Sequence, residues 1–365
     1  MQSFLFDPYR IGNMEVKNRF IRSATEDWLG EPDGSISAAK ISLYERLAAG
    51  GVGTIVTGHA YVSYPHGRVG LRQSAIYDDR FLDSYSRLTE TVQRHGARLI
   101  LQLSHAGRQT ASDVINGQMP VAPSDLFDEK GVQIARALSP DEMQPLLEDF
   151  SAAALRAKRA GFDGVQIHMA HGYLLAQFLS PFTNKRNGQY GGTADQRIRF
   201  PAEVVRQVRA AVGDSFPILV KLNSTDGLSD SAQPQITLED VVHFAGVLAD
   251  RSVDALEISG GTIKENLQIM SKPGIKKPTE EAYFVSTATA IKAKVNLPVI
   301  LVGGLRSLAV METVISEGRA DMISMSRPFI REPNLINQLA SGQGKATCIS
   351  CNGCFNPSGI KCILE

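Results

Sequence analysis

The chain has 365 residues, room for one large or two ordinary domains, which excludes a small module stapled by disulfides or metal. Its 43% hydrophobic and 21% charged residues, with 38 Lys+Arg against 38 Asp+Glu, are those of an ordinary globular protein and exclude disorder, collagen and coiled coil. A net charge of +0 offers no basic field for a nucleic acid or an anionic membrane surface, so neither partner is expected.

The opening Met1-Gln2-Ser3-Phe4-Leu5-Phe6-Asp7-Pro8 lacks a basic segment followed by an unbroken apolar one, and no run reaches the roughly 18 apolar residues of a membrane span. A cytosolic location is expected. From there, short apolar runs recur, each ending at small or polar residues and each followed by a segment of helical period. Eight are found, over 19–24, 53–60, 98–104, 164–170, 218–223, 255–261, 299–304 and 322–327. Runs such as Leu99-Ile100-Leu101 and Val299-Ile300-Leu301-Val302 are apolar without alternation, as strands buried on both faces are. Between them, 141–160 and 197–212 carry apolar stripes at helical spacing, with Gly161 and Gly213 where a helix would be capped.

Eight strand–helix units predict an α/β fold, a single (β/α)8 barrel over 1–342, followed by a short Cys-rich tail over 343–365. A typical barrel takes about 250 residues. The excess is placed in long βα loops at 106–138, 171–196 and 262–282, on the face where such barrels do chemistry. A doubly wound sheet would use the same alternation, but no Gly-x-Gly-x-x-Gly follows the first strand.

Five of the strands carry candidate chemistry. The fourth ends in His168-Met169-Ala170-His171-Gly172-Tyr173, two imidazoles and a phenol at the barrel mouth. Three readings are open: strand-end or core histidines, two ligands of a zinc site, or a pair of hydrogen-bond donors that polarise a carbonyl or nitro oxygen with Tyr173 as proton donor. The last suits hydride addition to an activated alkene, where negative charge grows on the carbonyl oxygen and a proton must reach the α-carbon. Gln102 and Lys221 lie inside otherwise apolar strands, where an unpartnered polar group is costly. Either Lys221 pairs with a buried carboxylate and Gln102 with backbone, or both read a flat heteroaromatic cofactor. The seventh and eighth strands close with Gly303-Gly304 and Ser326-Arg327, either tight turns beside a surface arginine or a phosphate site.

These residues, taken with Leu5-Phe6-Asp7-Pro8, Lys17-Asn18-Arg19-Phe20, Gln102-Leu103-Ser104-His105-Ala106-Gly107-Arg108 and Phe178-Leu179-Ser180-Pro181, followed by Asn184 and Tyr190-Gly191-Gly192, give the chain its family likeness. It resembles the old yellow enzymes, FMN-dependent NAD(P)H oxidoreductases on a single barrel, over nearly its whole length. The resemblance implies that Ser23, Ala24 and Thr25 line one side of the flavin, that Ala60 and Gln102 contact its ring, and that Lys221 replaces the usual arginine near N1. It implies that His168 and His171 bind the substrate oxygen, that Tyr173 is the proton donor, and that Gly303, Gly304, Ser326 and Arg327 hold the phosphate. A homo-oligomer is also implied.

Two departures stand out. Glu26 occupies a position where some members carry a redox-tuning Cys or Thr, and a carboxylate near N5 would disfavour an anionic reduced flavin. Lys221 lacks the planar fork of arginine. All four cysteines, Cys348, Cys351, Cys354 and Cys362, cluster in the tail, which excludes a disulfide framework for the body. They resemble the [4Fe–4S] segment of a longer family branch that includes dienoyl-CoA reductase and trimethylamine dehydrogenase, though with a shorter last spacing and with the sequence ending at Glu365 before that branch's further flavin and nucleotide domains. Iron–sulfur, zinc and an empty thiol cluster are open. The expected function is reduction of an electron-poor C=C bond by NAD(P)H through FMN in ping-pong fashion, with an electron-transfer component carrying the cluster as the alternative.

Overall fold

The computed structural model describes residues 3–356 and 358–364. Eight parallel strands form its centre: β1 (Phe20–Arg22), β2 (Thr54–Val56), β3 (Arg98–Ser104), β4 (Gly164–Met169), β5 (Ile218–Asn223), β6 (Ala255–Ser259), β7 (Val299–Leu301) and β8 (Met322–Met325). Each pairs with its successor, and β8 returns to β1 through Ile323↔Phe20, so the sheet closes on itself. The (β/α)8 barrel is therefore the fold, and each predicted run contains one barrel strand. The second run is broken: after Val56 the chain leaves the barrel, and Ala60–Tyr61 pairs separately on β3.

The helices start where their capping chemistry says they should. Ser139 and Glu142 form a reciprocal capping box at the head of Pro140–Arg159, and Thr193 with Gln196 does the same for Ala194–Val212. Apolar stripes such as Leu146, Phe150, Ala153 and Ala157 then bury against the barrel wall. The longest connections hold structure of their own, including a small three-stranded sheet, Val121–Ala122, Leu126–Phe127 and Gln133–Ala137, within 106–138. Among the described residues no helix is long and apolar enough to cross a membrane.

Side chains pointing into a barrel recur every second residue along a strand, and this period sorts the interior into layers. At the N-terminal end lie Ile21, Val56, Ile100, Leu219, Ala255, Ile300 and Met322, closed off by Ile11, Met14 and Val16 from a hairpin, Tyr9–Ile11 with Met14–Val16. Two residues further along the strands the interior turns polar: Gln102, Gln166, Lys221, Glu257 and Ser324. A further step brings the mouth, with His168, Ser259 and Ser326. The tail does not stand apart from this body. Ala346 N–H donates to Arg306 O at 2.9 Å and Ile360 N–H to Asp27 O at 2.9 Å, laying the cysteine segment across the loops after β7, β8 and β1.

Candidate active site

A cavity of about 340 Å³ opens at the mouth. Ser23, Ala24, Thr25, Gln102, His168, His171, Tyr173, Lys221, Gly303, Gly304, Ser326 and Arg327 all line it. Of the predicted cofactor residues only Ala60 does not; it is buried in its short strand against Leu103, and its neighbour His59 lines the cavity instead.

His168, the last residue but one of β4, has its side chain inward, and His171 follows a sharp change of direction. Its φ of 62°, a left-handed conformation uncommon outside glycine, is held by Asn223 Oδ1, which accepts from His171 N–H at 3.3 Å, and by Gln109 and Ile263, which donate to its carbonyl. Gly172, at φ 78°, continues the turn, and Tyr173 then starts the helix Leu174–Leu179 with its phenol returned to the cavity. The rings of His168 and His171 stand edge-on, 5.1 Å apart, and that of Tyr173 lies 4.7 Å from His168 and 4.8 Å from His59.

Burial decides the charge state of this cluster. It pushes both His168 and His171 well below the usual imidazole range, reinforced by the neighbouring histidines and Lys221, so both rings are neutral. Ala170 N–H donates to His168 Nδ1 at 3.3 Å, which assigns the ring proton to Nε2. His171 Nε2 shares a 2.7 Å hydrogen bond with Ser259 Oγ. Burial likewise raises the Tyr173 phenol, keeping it protonated.

Beneath them runs a fully connected polar chain. Gln102 Nε2 donates to Gln166 Oε1 at 2.7 Å, and Gln166 Nε2 donates to Glu257 Oε2 at 2.8 Å. Lys221 Nζ meets the same carboxylate oxygen at 3.1 Å, while Ser23 and Ser324 donate to Oε1 at 2.7 and 2.8 Å. Burial pushes the Glu257 carboxyl up, but Lys221 and the three side-chain donors outweigh it and hold it ionised. Thus Lys221 does pair with a buried carboxylate, and Gln102 finds a side chain rather than backbone; both still face the cavity. Glu257 was not singled out from the sequence, although an acidic residue inside Leu256-Glu257-Ile258 is the same signal as Lys221 inside its strand.

The far end suits an anion. Gly303 and Gly304 have φ of 131° and 71°, and a Cβ on Gly303 would come within 3.0 Å of Phe284, so side chains are excluded where a ligand's backbone contact is wanted. Arg306, missed in the sequence, also lines this end; its buried Nε has no partner. Arg327 Nη1 is anchored to Lys272 O at 3.0 Å and to Asn352 Oδ1 at 2.6 Å. A flat ring over Gln102 and Lys221 with a phosphate toward Arg306 and Arg327 fits these residues, which is the shape and charge of FMN.

The cysteines lie one wall away. Cys348, Cys351, Cys354 and Cys362 surround a cavity of about 20 Å³ that also touches Arg327. All four are free thiols, three buried and Cys351 exposed, and burial raises Cys348 and Cys354. Among the described residues no group of three or more His, Cys, Asp or Glu side chains is arranged to hold a metal ion. The four thiols gather around this one small cavity, which would have to widen to take a metal cluster.

A sequence profile of the NADH:flavin oxidoreductase / NADH oxidase family matches residues 4–345. The chain is 37% identical to an NADH oxidase of Thermoanaerobacter brockii over 96% of its own length but 53% of that protein's, so it spans about half of that relative. It is 30% identical to a 4,4'-dithiodibutanoate disulfide reductase of Rhodococcus erythropolis, covering 99% of this chain and 95% of that one. Among solved structures, morphinone reductase in complex with tetrahydroNAD superposes with a TM-score of 0.77 at 27% identity, covering 93% of this chain and 90% of the other.

Proposed function

The chain belongs to the NADH:flavin oxidoreductase / NADH oxidase family, the old yellow enzymes, and we propose that it uses NAD(P)H and FMN to reduce an electron-poor C=C bond conjugated to a carbonyl, with both partners using one cavity in turn. One observation carries this reading: two neutral imidazoles and a protonated phenol converge on one side of a cavity whose other side is suited to a flavin. FMN bound there would supply the redox chemistry that links NAD(P)H to the substrate.

The protein's own residues do the rest. His168 and His171 donate hydrogen bonds to the substrate's carbonyl oxygen, and because they are neutral and fixed, they favour the enolate-like charge that develops there over the neutral ground state. Tyr173 delivers a proton to the α-carbon. Lys221, paired with Glu257, would face the bound ring, and Gln102, oriented by Gln166, would offer that ring its amide oxygen. Arg306, Arg327 and the Gly303-Gly304 turn would hold the FMN phosphate. The apolar Ile263, Leu267 and Met270 line the site on the side of the loop after β6.

The test is stopped-flow measurement of the two half-reactions with a cyclic enone. The proposal expects flavin reduction by NAD(P)H without enone, then reoxidation by enone alone. A requirement for both at once would sink the single-cavity scheme. Tyr173→Phe is expected to slow reoxidation by about 10² or more, as loss of a general acid does, and flavin reduction far less.

A second reading makes the chain an electron-transfer component whose tail cysteines hold a [4Fe–4S] cluster and which acts with a further protein. It is supported by the four thiols gathered around one cavity beside the phosphate end. Iron and acid-labile sulfide, assayed on anaerobically purified protein, test it: about four irons per chain would favour it, none would remove it. A homo-oligomer and a cytosolic location belong to the same proposal.

A further inference from the structure

Two cavity residues have no part in the chemistry above: Glu26, at the departure noted in the sequence, and His59, which the sequence did not single out. Both touch Tyr173's surroundings. His59 Nε2 lies 3.2 Å from the Tyr173 hydroxyl and 3.3 Å from Glu26 Oε2. The other ring nitrogen is already occupied. Gln73 Oε1 accepts from Val69 N–H at 2.7 Å, which fixes the amide so that Nε2 donates to His59 Nδ1 at 2.9 Å; Ser104 Oγ meets the same nitrogen at 2.7 Å. In a neutral imidazole the proton must then sit on Nε2.

One N–H therefore faces two possible acceptors, a phenol oxygen and a carboxyl oxygen. Glu26 Oε2 is buried and makes no aligned hydrogen bond, while Oε1 accepts from Trp28 N–H at 3.2 Å. The arrangement has two states. When Glu26 is protonated it competes weakly, and His59 donates to Tyr173, leaving the phenol's own O–H for the substrate and stabilising the phenolate left after the proton goes. When Glu26 is ionised, a charge-assisted bond draws the His59 N–H away, and a negative charge sits beside a group that must itself become negative.

We propose that Glu26 is a pH-dependent switch on the proton donor Tyr173, acting through His59 as a positioning residue. This rests on the reading of Tyr173 as the proton donor.

The surrounding charges put the switch in a useful range. Burial pushes Glu26 up to about 7, with Asp27 raising it further and Lys40 opposing. Lys40 is already engaged, its Nζ 3.1 Å from Asp27 Oδ1, and Tyr44 donates to Asp27 Oδ2 at 3.2 Å. Burial raises Tyr44 and Tyr85, behind the same wall, and lowers Arg22. Burial, aided by Lys40, pushes His59 down to about 3, so the ring stays neutral through the range in which Glu26 titrates. Across the cavity His168 and His171 are likewise neutral, and Lys221 is bound to Glu257. The sign follows: proton delivery is fast below about 7 and falls as pH rises through it.

The test combines a spectroscopic and a kinetic readout on the FMN-loaded protein. Infrared difference spectra should show a protonated carboxyl that titrates near pH 7 and is missing in Glu26→Gln; Asp226, which burial pushes up to about 6, gives its own band, so the assignment rests on that difference. Reoxidation by enone should fall roughly tenfold from about pH 6 to about pH 8.5 in the unaltered protein. In Glu26→Gln it should be flat, and in His59→Ala it should be slow at every pH. If Glu26→Gln does not fold, Glu26→Asp should shift both the band and the pH step. A missing band, or a pH step unmoved by the Glu26 substitution, overturns the switch while leaving Tyr173 as proton donor. A Tyr173→Phe variant with unchanged reoxidation overturns that reading and the switch with it.

Discussion

The two ends of the barrel interior are built on opposite principles. At the floor, Ile21, Val56, Ile100, Leu219, Ile300 and Met322 pack against the hairpin residues Ile11, Met14 and Val16, and shape is all that matters. One layer higher, Gln102, Gln166, Lys221, Glu257, Ser23 and Ser324 are joined atom to atom, and every member depends on the others. Burying charge there gains little stability over a well-packed apolar layer. Its return is a charged ammonium and an oriented amide held still below the reacting groups. The contrast also explains the order of the layers: the floor holds the barrel shut, so the mouth is free to hold costly groups.

Substitutions can break this contrast. The largest effect is expected from Glu257→Leu, which leaves Lys221 buried without its counter-charge; a loss of about 3–5 kcal/mol in urea denaturation is expected. A loss below about 1 kcal/mol would mean that water reaches Lys221 and the layer is not sealed. Next comes the mouth itself. Replacing His168 and His171 together by Ala should weaken binding of a phenol to the flavin-loaded protein by about 10-fold to 100-fold in a spectral titration. Unchanged titration would remove both histidines from the oxyanion role. The smallest is at the floor: Ile300→Val should cost only about 0.5–1.5 kcal/mol and leave flavin content per chain as it was. A matching loss of flavin would show that the floor shapes the mouth after all.

How much of this could be read in the sequence follows from the same contrast. The floor and the barrel were legible because burial on both faces writes itself as unbroken apolar runs, and all eight runs hold a barrel strand. The hairpin that plugs the floor was not found, since two three-residue strands around Gly12-Asn13 are too short for a period to show. Lys221 and Gln102 stood out as polar residues in apolar strands, but their partners Glu257 and Gln166 are distant in sequence, and only closure of the barrel brings them together. His59 and Arg306 lie just past strand ends, in segments whose direction depends on loop geometry rather than on pattern. The cysteine cluster was plain as a motif; that it packs beside Arg327 at one end of the cavity was not.

That packing has a kinetic consequence. Ser350, Phe355 and Asn356 form part of the cavity wall, and Arg327 reaches from the Gly303-Gly304 end of the cavity to Asn352. The wall is held on by backbone bonds such as Gly274 N–H to Ser350 O and Ile360 N–H to Asp27 O, both at 2.9 Å, and by side-chain bonds such as Asn352 Nδ2 to Ser271 O at 2.8 Å. Local opening of this segment, which need not unfold the barrel, is therefore expected to ease escape of a molecule lodged at that end. A substitution that loosens the segment is expected to shorten the residence time of a bound molecule while leaving in place the groups that line the rest of the cavity.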